Sequence, residues 1–201
     1  MDEGAESLAR AIGARVKQER KSRGWTLDQL AVSAGVSRRM VVNVEQGSVN
    51  PSVGTLLRLS DALGVGLPAL VQPPNPLAAK LTPRGEGAVL WTGEQGGQGV
   101  LVAGTEPPDV VELWDWTLAA GEQHASGPHS DGTRELLHVQ GGTVVVTVGN
   151  DSFELQAGDA LSFRGDIAHA YANTTADSAR FSLTVFEPGV GAAHRTESRN
   201  A

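Results

Sequence analysis

Two arginines and an asparagine at the start of a short helical stretch carry the clearest chemistry in the sequence. Val41 and Val44 share one face of this stretch, which leaves Arg38, Arg39 and Asn43 on the other. In the major groove of DNA, arginine pairs with guanine and asparagine with adenine, and each good pair contributes about 1–3 kcal/mol of base discrimination. Because the first residues of a recognition helix enter that groove, the spacing predicts sequence-specific binding to double-stranded DNA.

The segment WTLDQLAVSAGVSRRMVVNVEQG, residues 25–47, is predicted to hold these side chains in a helix-turn-helix. Thr26 and Gln29 form the pattern of a capping box, so the first helix should begin there. Gly35 permits the left-handed turn that ends it, and Ser37 is a favoured N-cap for the second helix. The two helix N-termini, at Thr26 and Ser37, are also able to donate hydrogen bonds to phosphate.

Residues 8–71 resemble the XRE, or lambda-repressor-like, family of transcriptional regulators. The matching elements are VKQERKSRGW, TLDQLAVSA, GVS, RRMVVNV, EQG and NPSVGTLLRLSDALGV. The resemblance implies a five-helix domain that contains a structural ion pair between Arg20 and Glu45. It also implies contacts with a DNA operator, through bases for Arg38, Arg39 and Asn43 and through phosphates near Thr26, Ser48 and Asn50.

Charge is distributed unevenly along the 201 residues. Residues 1–72 carry a net charge of +2 and residues 73–201 a net charge of −9, so only the first part suits a position close to phosphate. The absence of cysteine excludes disulfides and thiolate chemistry. No apolar run approaches the roughly 20 residues of a membrane span, and the acidic start MDEGAES does not fit a secretory signal. We therefore expect a cytoplasmic protein with no membrane segment.

The residue pattern changes at a proline-rich stretch near the middle of the chain. Before it, apolar residues recur at helical spacing, and after it come short β runs such as VVELWDWTL and TVVVTV, separated by turn residues. Many short strands at this spacing are typical of an all-β sandwich or barrel. We expect a helical domain over residues 1–71, a linker over 72–87, an all-β domain over 88–188 and a disordered tail over 189–201.

The all-β half resembles the cupin family over about residues 88–188, which implies a double-stranded β-helix, or jelly-roll barrel, around a pocket. The spacing of the two cupin motifs is matched by Gly121, His129, Glu135 and Gly142, and by Gly158, Gly165, His169 and Asn173. The whole chain is thus expected to be an α + β protein of two domains, with five helices followed by a cupin barrel.

The resemblance to cupins also implies a metal site. Cupins commonly bind a metal ion with histidines and a glutamate, and this sequence keeps His129, Glu135 and His169 but has Gly127 where a further histidine is usual. Two histidines and a carboxylate suffice as a facial triad, and His124 is a candidate fourth ligand. Such ligands suit Fe, Mn, Ni or Zn without choosing among them. The alternative is a pocket that binds an organic ligand without a metal.

Strand alternation identifies further candidates for the pocket wall, but it does not show which face of the strand points into the barrel. In VVELWDWTL, the tryptophans lie on one face and Leu113, Asp115 and Thr117 on the other. Tryptophans inside would favour a flat or apolar effector, whereas tryptophans outside would favour a dimer interface. The candidate pocket residues are Trp114, Trp116, Phe163 and Tyr171.

Two functions are consistent with these features. In the first, the chain is a transcriptional regulator whose cupin domain forms a homodimer and senses a small-molecule effector, so that two recognition helices read half-sites roughly 34 Å apart. In the second, the chain is a mononuclear non-heme iron oxygenase or epoxidase that carries a vestigial helix-turn-helix domain. The presence of base-reading side chains on the recognition helix favours the regulator.

Overall fold

A computed structural model describes residues 3–71 and 79–190 of the chain. These residues form two compact units, one helical and one made of residues 81–105 and 109–188. Residues 72–78 of the predicted linker and 191–201 of the predicted tail lie outside the described residues. Among the helices of the described parts, none is long and apolar enough to cross a membrane.

The helical unit contains five helices, as predicted. They are α1 (Glu3–Ser22), α2 (Leu27–Ser33), α3 (Arg38–Glu45), α4 (Val53–Leu63) and α5 (Gly66–Val71). The apolar positions at helical spacing are buried together and form a single core, which includes Ile12, Val16, Leu30, Val41, Val44 and Leu59. This core fixes the orientation of α3, whose polar side chains must then face outward.

The ends of the helices follow from local side chains. The Thr26 hydroxyl accepts a hydrogen bond from the Gln29 N–H at 3.2 Å, and the Gln29 side chain accepts one from the Thr26 N–H at 2.7 Å. This is the predicted capping box. Gly35 has a φ of +60° in the turn between the helices, and the Ser37 hydroxyl caps α3 by accepting from the Met40 N–H at 3.1 Å.

A bidentate ion pair joins the end of α1 to the end of α3, as the family resemblance implied. Arg20 Nε and Nη2 donate to the two carboxylate oxygens of Glu45 at 2.5 and 2.8 Å, and Arg20 Nη1 donates to the Trp25 carbonyl at 2.7 Å. The two side chains are only 11% and 7% exposed. Removal of one partner would therefore leave a largely buried charge without compensation.

We expect Arg20→Met to lower the free energy of unfolding by about 3–5 kcal/mol, because Glu45 then stays buried and unpaired. Arg23→Met is the matched control, since Arg23 pairs with Glu19 one helical turn away in a more exposed setting, and such pairs contribute about 0.3–0.5 kcal/mol. Urea denaturation of the two variants measures the difference. Equal, small losses would contradict a structural role for the Arg20–Glu45 pair.

The β unit is built from ten antiparallel strands in two sheets. The strands are β1 (Ala88–Thr92), β2 (Gln98–Gly104), β3 (Val110–Leu118), β4 (Gln123–Ser126), β5 (Arg134–Gly141), β6 (Thr143–Val148), β7 (Asp151–Gln156), β8 (Ala160–Arg164), β9 (His169–Ala172) and β10 (Ala179–Glu187). The larger sheet has the order β1-β2-β3-β10-β5-β8, and the smaller has the order β4-β9-β6-β7. This arrangement agrees with the expected cupin barrel.

Burial on β3 shows which face lines the barrel interior. Trp114 and Trp116 are each 3% exposed. Leu113, which precedes Trp114 on the same strand, is 42% exposed. The tryptophans therefore face inward, together with Leu183 and Phe181, their partners on β10. Of the two arrangements that the sequence left open, the structure has the one that puts the aromatic pair inside.

Candidate functional site

The outward face of α3 carries the predicted base-reading residues. Arg38 and Arg39 are exposed, and Asn43 is half-buried on the same helix. Val41 and Val44 are buried on the opposite side, as the sequence pattern predicted. Arg38 also lies against α2, because its Nε is 3.2 Å from Asp28 Oδ1 in a pair whose side chains are 59% and 72% exposed.

The predicted phosphate-contacting residues are exposed around this helix. They are Thr26, Ser37, Ser48 and Asn50. The Ser48 hydroxyl donates to the Asn43 carbonyl at 3.0 Å and thereby fixes the turn after α3. Contact of these four residues with DNA stays a prediction.

A second cluster lies inside the β barrel, where three side chains from distant parts of the chain converge. His129 follows β4, Glu135 is on β5 and His169 begins β9. His129 Nε2 and His169 Nε2 lie 3.1 and 3.2 Å from the same carboxylate oxygen, Glu135 Oε1. The three candidate ligand atoms are all within 4.8 Å of one another. The predicted metal triad is therefore assembled.

The hydrogen bonds around this triad leave its inner atoms free to bind a cation. His169 Nδ1 lies 2.7 Å from the Ile167 carbonyl, which only accepts, so the imidazole proton is placed on Nδ1. Within the described residues, His169 Nε2 and Glu135 Oε1 are buried and lack a hydrogen-bond partner. Buried polar atoms rarely lack a hydrogen-bond partner. Two buried acceptor atoms that face each other therefore indicate a site for a cation.

Electrostatics keep the Glu135 carboxylate charged. Its burial opposes ionisation, but the imidazoles of His129 and His169 outweigh that effect and lower the pKa of Glu135 to about 2. Burial acts to lower the pKa of His169, and the Glu135 carboxylate overcomes this and raises it. An ionised carboxylate beside two imidazoles is the donor set that divalent Fe, Mn, Ni or Zn accepts.

His124 does not belong to the triad. Its ring lies among aromatic side chains, with centroid distances of 5.4 Å to Trp91, 4.8 Å to Trp116 and 6.4 Å to Tyr171. Burial, followed by repulsion from His169, lowers the pKa of His124 to about 4. The structure thus places this histidine in an aromatic cluster outside the three-residue group, and its role as a fourth ligand stays a prediction.

The four candidate pocket residues all lie in the barrel interior. Tyr171 is the member nearest the triad, because its hydroxyl donates to Glu135 Oε2. The Phe163 ring lies 5.5 Å from that of His169 and 6.5 Å from that of Tyr171. Trp114 and Trp116 stack at 5.8 Å. Phe163 and Tyr171 thus lie against His169, and Trp116 reaches the same cluster through its contact with Tyr171.

Glu112 is an interior residue that the sequence reasoning missed. It is 1% exposed and accepts a hydrogen bond from Trp114 Nε1 at 2.9 Å, while its Oε1 has no partner among the residues that the structure describes. Burial, with repulsion from Glu187, raises the pKa of Glu112 to about 8. The available signal was alternation, since Glu112 lies two residues before Trp114 and must share its face.

Two glycines near the triad differ in the space around them. A Cβ atom at Gly165 would lie 2.8 Å from Glu135 Oε1 and 2.9 Å from Thr133 Cγ2, so a side chain there would displace the triad carboxylate. A Cβ atom at Gly127 would meet no atom within 4 Å among the described residues. The position at which many cupins have their first histidine is therefore open in this chain.

Comparisons with known proteins agree with this two-part architecture. The helix-turn-helix family model matches residues 16–70, and the cupin domain model matches residues 114–186. The chain is 27% identical to the HTH-type transcriptional regulator SutR of Escherichia coli (strain K12), over 91% of this chain and 98% of that protein. It is 24% identical to the regulator PuuR of the same organism, over 85% and 91%.

A solved structure is also similar over nearly the whole length. The crystal structure of an HTH_3 family transcriptional regulator from Vibrio cholerae aligns with 27% identity and a TM-score of 0.71. The alignment covers 92% of this chain and 99% of that one. The similarity therefore includes both units, each with its own counterpart in the relative.

Proposed function

We propose that this chain, which joins an XRE-type helix-turn-helix domain to a cupin domain, is a cytoplasmic transcriptional regulator that reads a DNA operator with α3. The observation that carries the proposal is the exposed set of Arg38, Arg39 and Asn43 on a helix whose other face is buried. Similarity to regulators along almost the entire chain supports it. Guanidinium and amide groups in this position are suited to base edges in the major groove.

The test is selection of genomic DNA fragments by the purified full-length chain at moderate salt. We expect enrichment of a small set of fragments that share one sequence, arranged as two half-sites with two-fold symmetry. Salt must be held constant, because phosphate contacts make all affinities depend on it. Retention of random fragments without a shared sequence would contradict the proposal.

The cupin domain is proposed to hold a divalent metal ion through His129, Glu135 and His169. The support is the pair of buried, unpartnered atoms, Glu135 Oε1 and His169 Nε2, at the centre of the cluster. A facial triad supplies three donor atoms and leaves positions open, so the ion would act as a Lewis acid that anchors an oxygen or nitrogen donor of a small molecule. We propose that the effector binds there, beside the interior tryptophans.

An effector changes transcription only if it binds the DNA-competent and the incompetent states of the protein with different affinity. The interior offers two kinds of group for such an interaction. Trp116 Nε1 and Glu112 Oε1 are buried without a partner in the described part of the chain, and both are able to contact a polar ligand. The stacked rings of Trp114 and Trp116 favour a ligand with a flat or apolar portion.

Homodimerisation through the outer face of the larger sheet is also part of the proposal. Leu113 on β3 and Leu136 on β5 both pair with Thr184 on β10, so they lie on one face with a single strand between them. They are 42% and 56% exposed, and Phe186 on the same face is 37% exposed. Adjacent exposed apolar side chains of this kind mark protein–protein contacts.

We expect Leu136→Glu to shift the protein from dimer to monomer, because a charge at the centre of an apolar interface costs about 2 kcal/mol or more. That corresponds to a dimer dissociation constant about 30-fold higher. Phe153→Glu, on β7 of the other sheet with 40% exposure, is the matched control. Analytical ultracentrifugation gives both constants. Equal constants for the two variants would place the interface elsewhere.

The alternative function, a non-heme iron oxygenase, shares the same triad. An oxygenase would turn over a substrate at an iron ion held by the triad. A transcriptional regulator would instead select a DNA sequence with its recognition helix. The relatives that align over both units are named transcriptional regulators. For this reason we place the function of the chain in DNA binding and treat the triad as part of its sensor.

A further inference from the structure

We infer that Tyr171 is a positioning residue that holds Glu135 as a single-oxygen ligand, with Oε1 for the metal ion and Oε2 for the phenol. The inference rests on the proposed metal centre. It adds a residue that is not itself a ligand and assigns different roles to the two oxygens of one carboxylate.

The contacts of Glu135 divide cleanly between its two oxygens. Oε1 faces His129 Nε2 and His169 Nε2 at 3.1 and 3.2 Å. Oε2 instead accepts a hydrogen bond from the Tyr171 hydroxyl. The Glu135 side chain is fully buried, so water does not compete for either oxygen. Rotation of the carboxylate to offer both oxygens to one ion would break the bond to Tyr171.

The strand β9 explains why the phenol and a ligand histidine cooperate. His169 and Tyr171 are two residues apart and are both buried, so they point to the same side of the strand. One strand therefore presents an imidazole to Oε1 and a phenol to Oε2. A shift of β9 by one residue would lose both interactions together.

The Tyr171 ring is held firmly enough to act in this way. Its centroid lies 5.3 Å from that of Phe181 and 5.8 Å from that of Trp116, in two different strands of the larger sheet. The Phe163 ring meets it edge-on at 6.5 Å. Tight packing on several sides restricts the ring to one rotamer, so the hydroxyl has a fixed position relative to Glu135.

A carboxylate fixed in this way affects how many coordination positions of a bound ion would remain for small molecules. With one oxygen from Glu135 and one nitrogen from each histidine, the protein supplies three donor atoms. A carboxylate that offered both oxygens would supply a fourth donor atom and leave less of a bound ion open to small molecules. Tyr171 would thereby limit how many of the ion's positions the protein itself occupies.

The test uses Co²⁺ alone as the probe and compares the full-length protein with Tyr171→Phe. We expect the variant to bind Co²⁺ about 10–100-fold more weakly, as is usual when a hydrogen bond to a metal ligand is lost. We also expect a changed visible spectrum of bound Co²⁺, because the freed carboxylate is able to chelate. Competition with a chromogenic chelator gives the affinity, and circular dichroism checks that the variant is folded.

Leu118→Ala is the control for a loss of packing without a loss of the hydroxyl. It truncates a buried side chain at the end of β3 and should lower the melting temperature while leaving Co²⁺ affinity and spectrum unchanged. In the wild-type protein, the infrared carboxylate bands that change on Co²⁺ addition should have the wide separation of single-oxygen ligation. This measurement still decides the matter if Tyr171→Phe does not fold.

Affinity within twofold of wild type and an unchanged spectrum for Tyr171→Phe would overturn the inference, as would infrared bands of a chelating carboxylate. Failure of the metal centre itself looks different. In that case the wild-type protein binds no Co²⁺, or binds it equally well after His169→Ala.

Discussion

Replacement of Arg38 and Arg39 together by alanine should abolish selection of the operator while leaving the fold unchanged. Each bidentate arginine–guanine contact contributes about 1–3 kcal/mol, so loss of two weakens binding to the operator by about 30-fold to 10⁴-fold. Both side chains are exposed, and the helix keeps its Ser37 cap and its buried face of Val41 and Val44. Fluorescence anisotropy with operator and random duplexes at one salt concentration measures the ratio of affinities.

Arg38→Lys with Arg39→Lys is the matched control for this experiment. Lysine retains the positive charge but lacks the planar fork that matches O6 and N7 of guanine. The lysine variant should therefore keep the salt-dependent binding to random DNA and lose most of the preference for the operator. If the alanine variant still enriches the same genomic fragments as the wild type, these arginines do not read the sequence.

Removal of a triad ligand should abolish metal binding in the cupin domain. His169→Ala deletes one of three donor atoms and leaves the Glu135 carboxylate buried beside a gap. A bound metal at 100 times its dissociation constant stabilises a folded protein by about 2.7 kcal/mol. We expect this stabilisation, measured as a shift in melting temperature on Co²⁺ addition, for the wild-type chain and its disappearance in the variant. His138→Ala, an exposed histidine on β5, is the control.

The same site should respond to pH in a defined direction. The metal needs a deprotonated imidazole, and the Glu135 carboxylate raises the pKa of His169 in the metal-free protein. Protons therefore compete for Nε2 at and below that raised pKa. Metal affinity should be highest above it and fall as the pH decreases through it. An affinity that rises with acidity would show that His169 is not a ligand.

Local patterns in the sequence were enough to predict the helix-turn-helix formed by α2 and α3. The capping box at Thr26, the cap at Ser37 and the glycine turn at Gly35 each depend on side chains within four residues, so neighbouring letters determine them. The triad was reached through the spacing of the cupin motifs. The spacing is typical of a cupin barrel, and in such a barrel His129, Glu135 and His169 lie close together.

Features that depend on packing between distant strands could not be predicted in this way. Alternation separated Trp114 from Leu113 but did not show which faces inward, because both faces of β3 carry apolar residues. Glu112 was missed because glutamate is among the residues that are rarely fully buried. The bond between Tyr171 and Glu135 joins residues 36 positions apart and exists only after the two sheets close on each other.

The pair formed by Arg38 and Asp28 has a consequence for the search of the protein along the genome. Off the operator, the carboxylate of Asp28 competes for the same guanidinium that a phosphate would attract. An exposed pair of this kind contributes about 0.2–1 kcal/mol. This free energy is enough to shorten each dwell time on random sequence, but it is smaller than that of a bidentate guanine contact. Shorter dwell times make the search faster, because a protein that slides and hops along DNA visits more sites when it leaves each one sooner. Asp28→Asn should accordingly lengthen dwell times on random DNA.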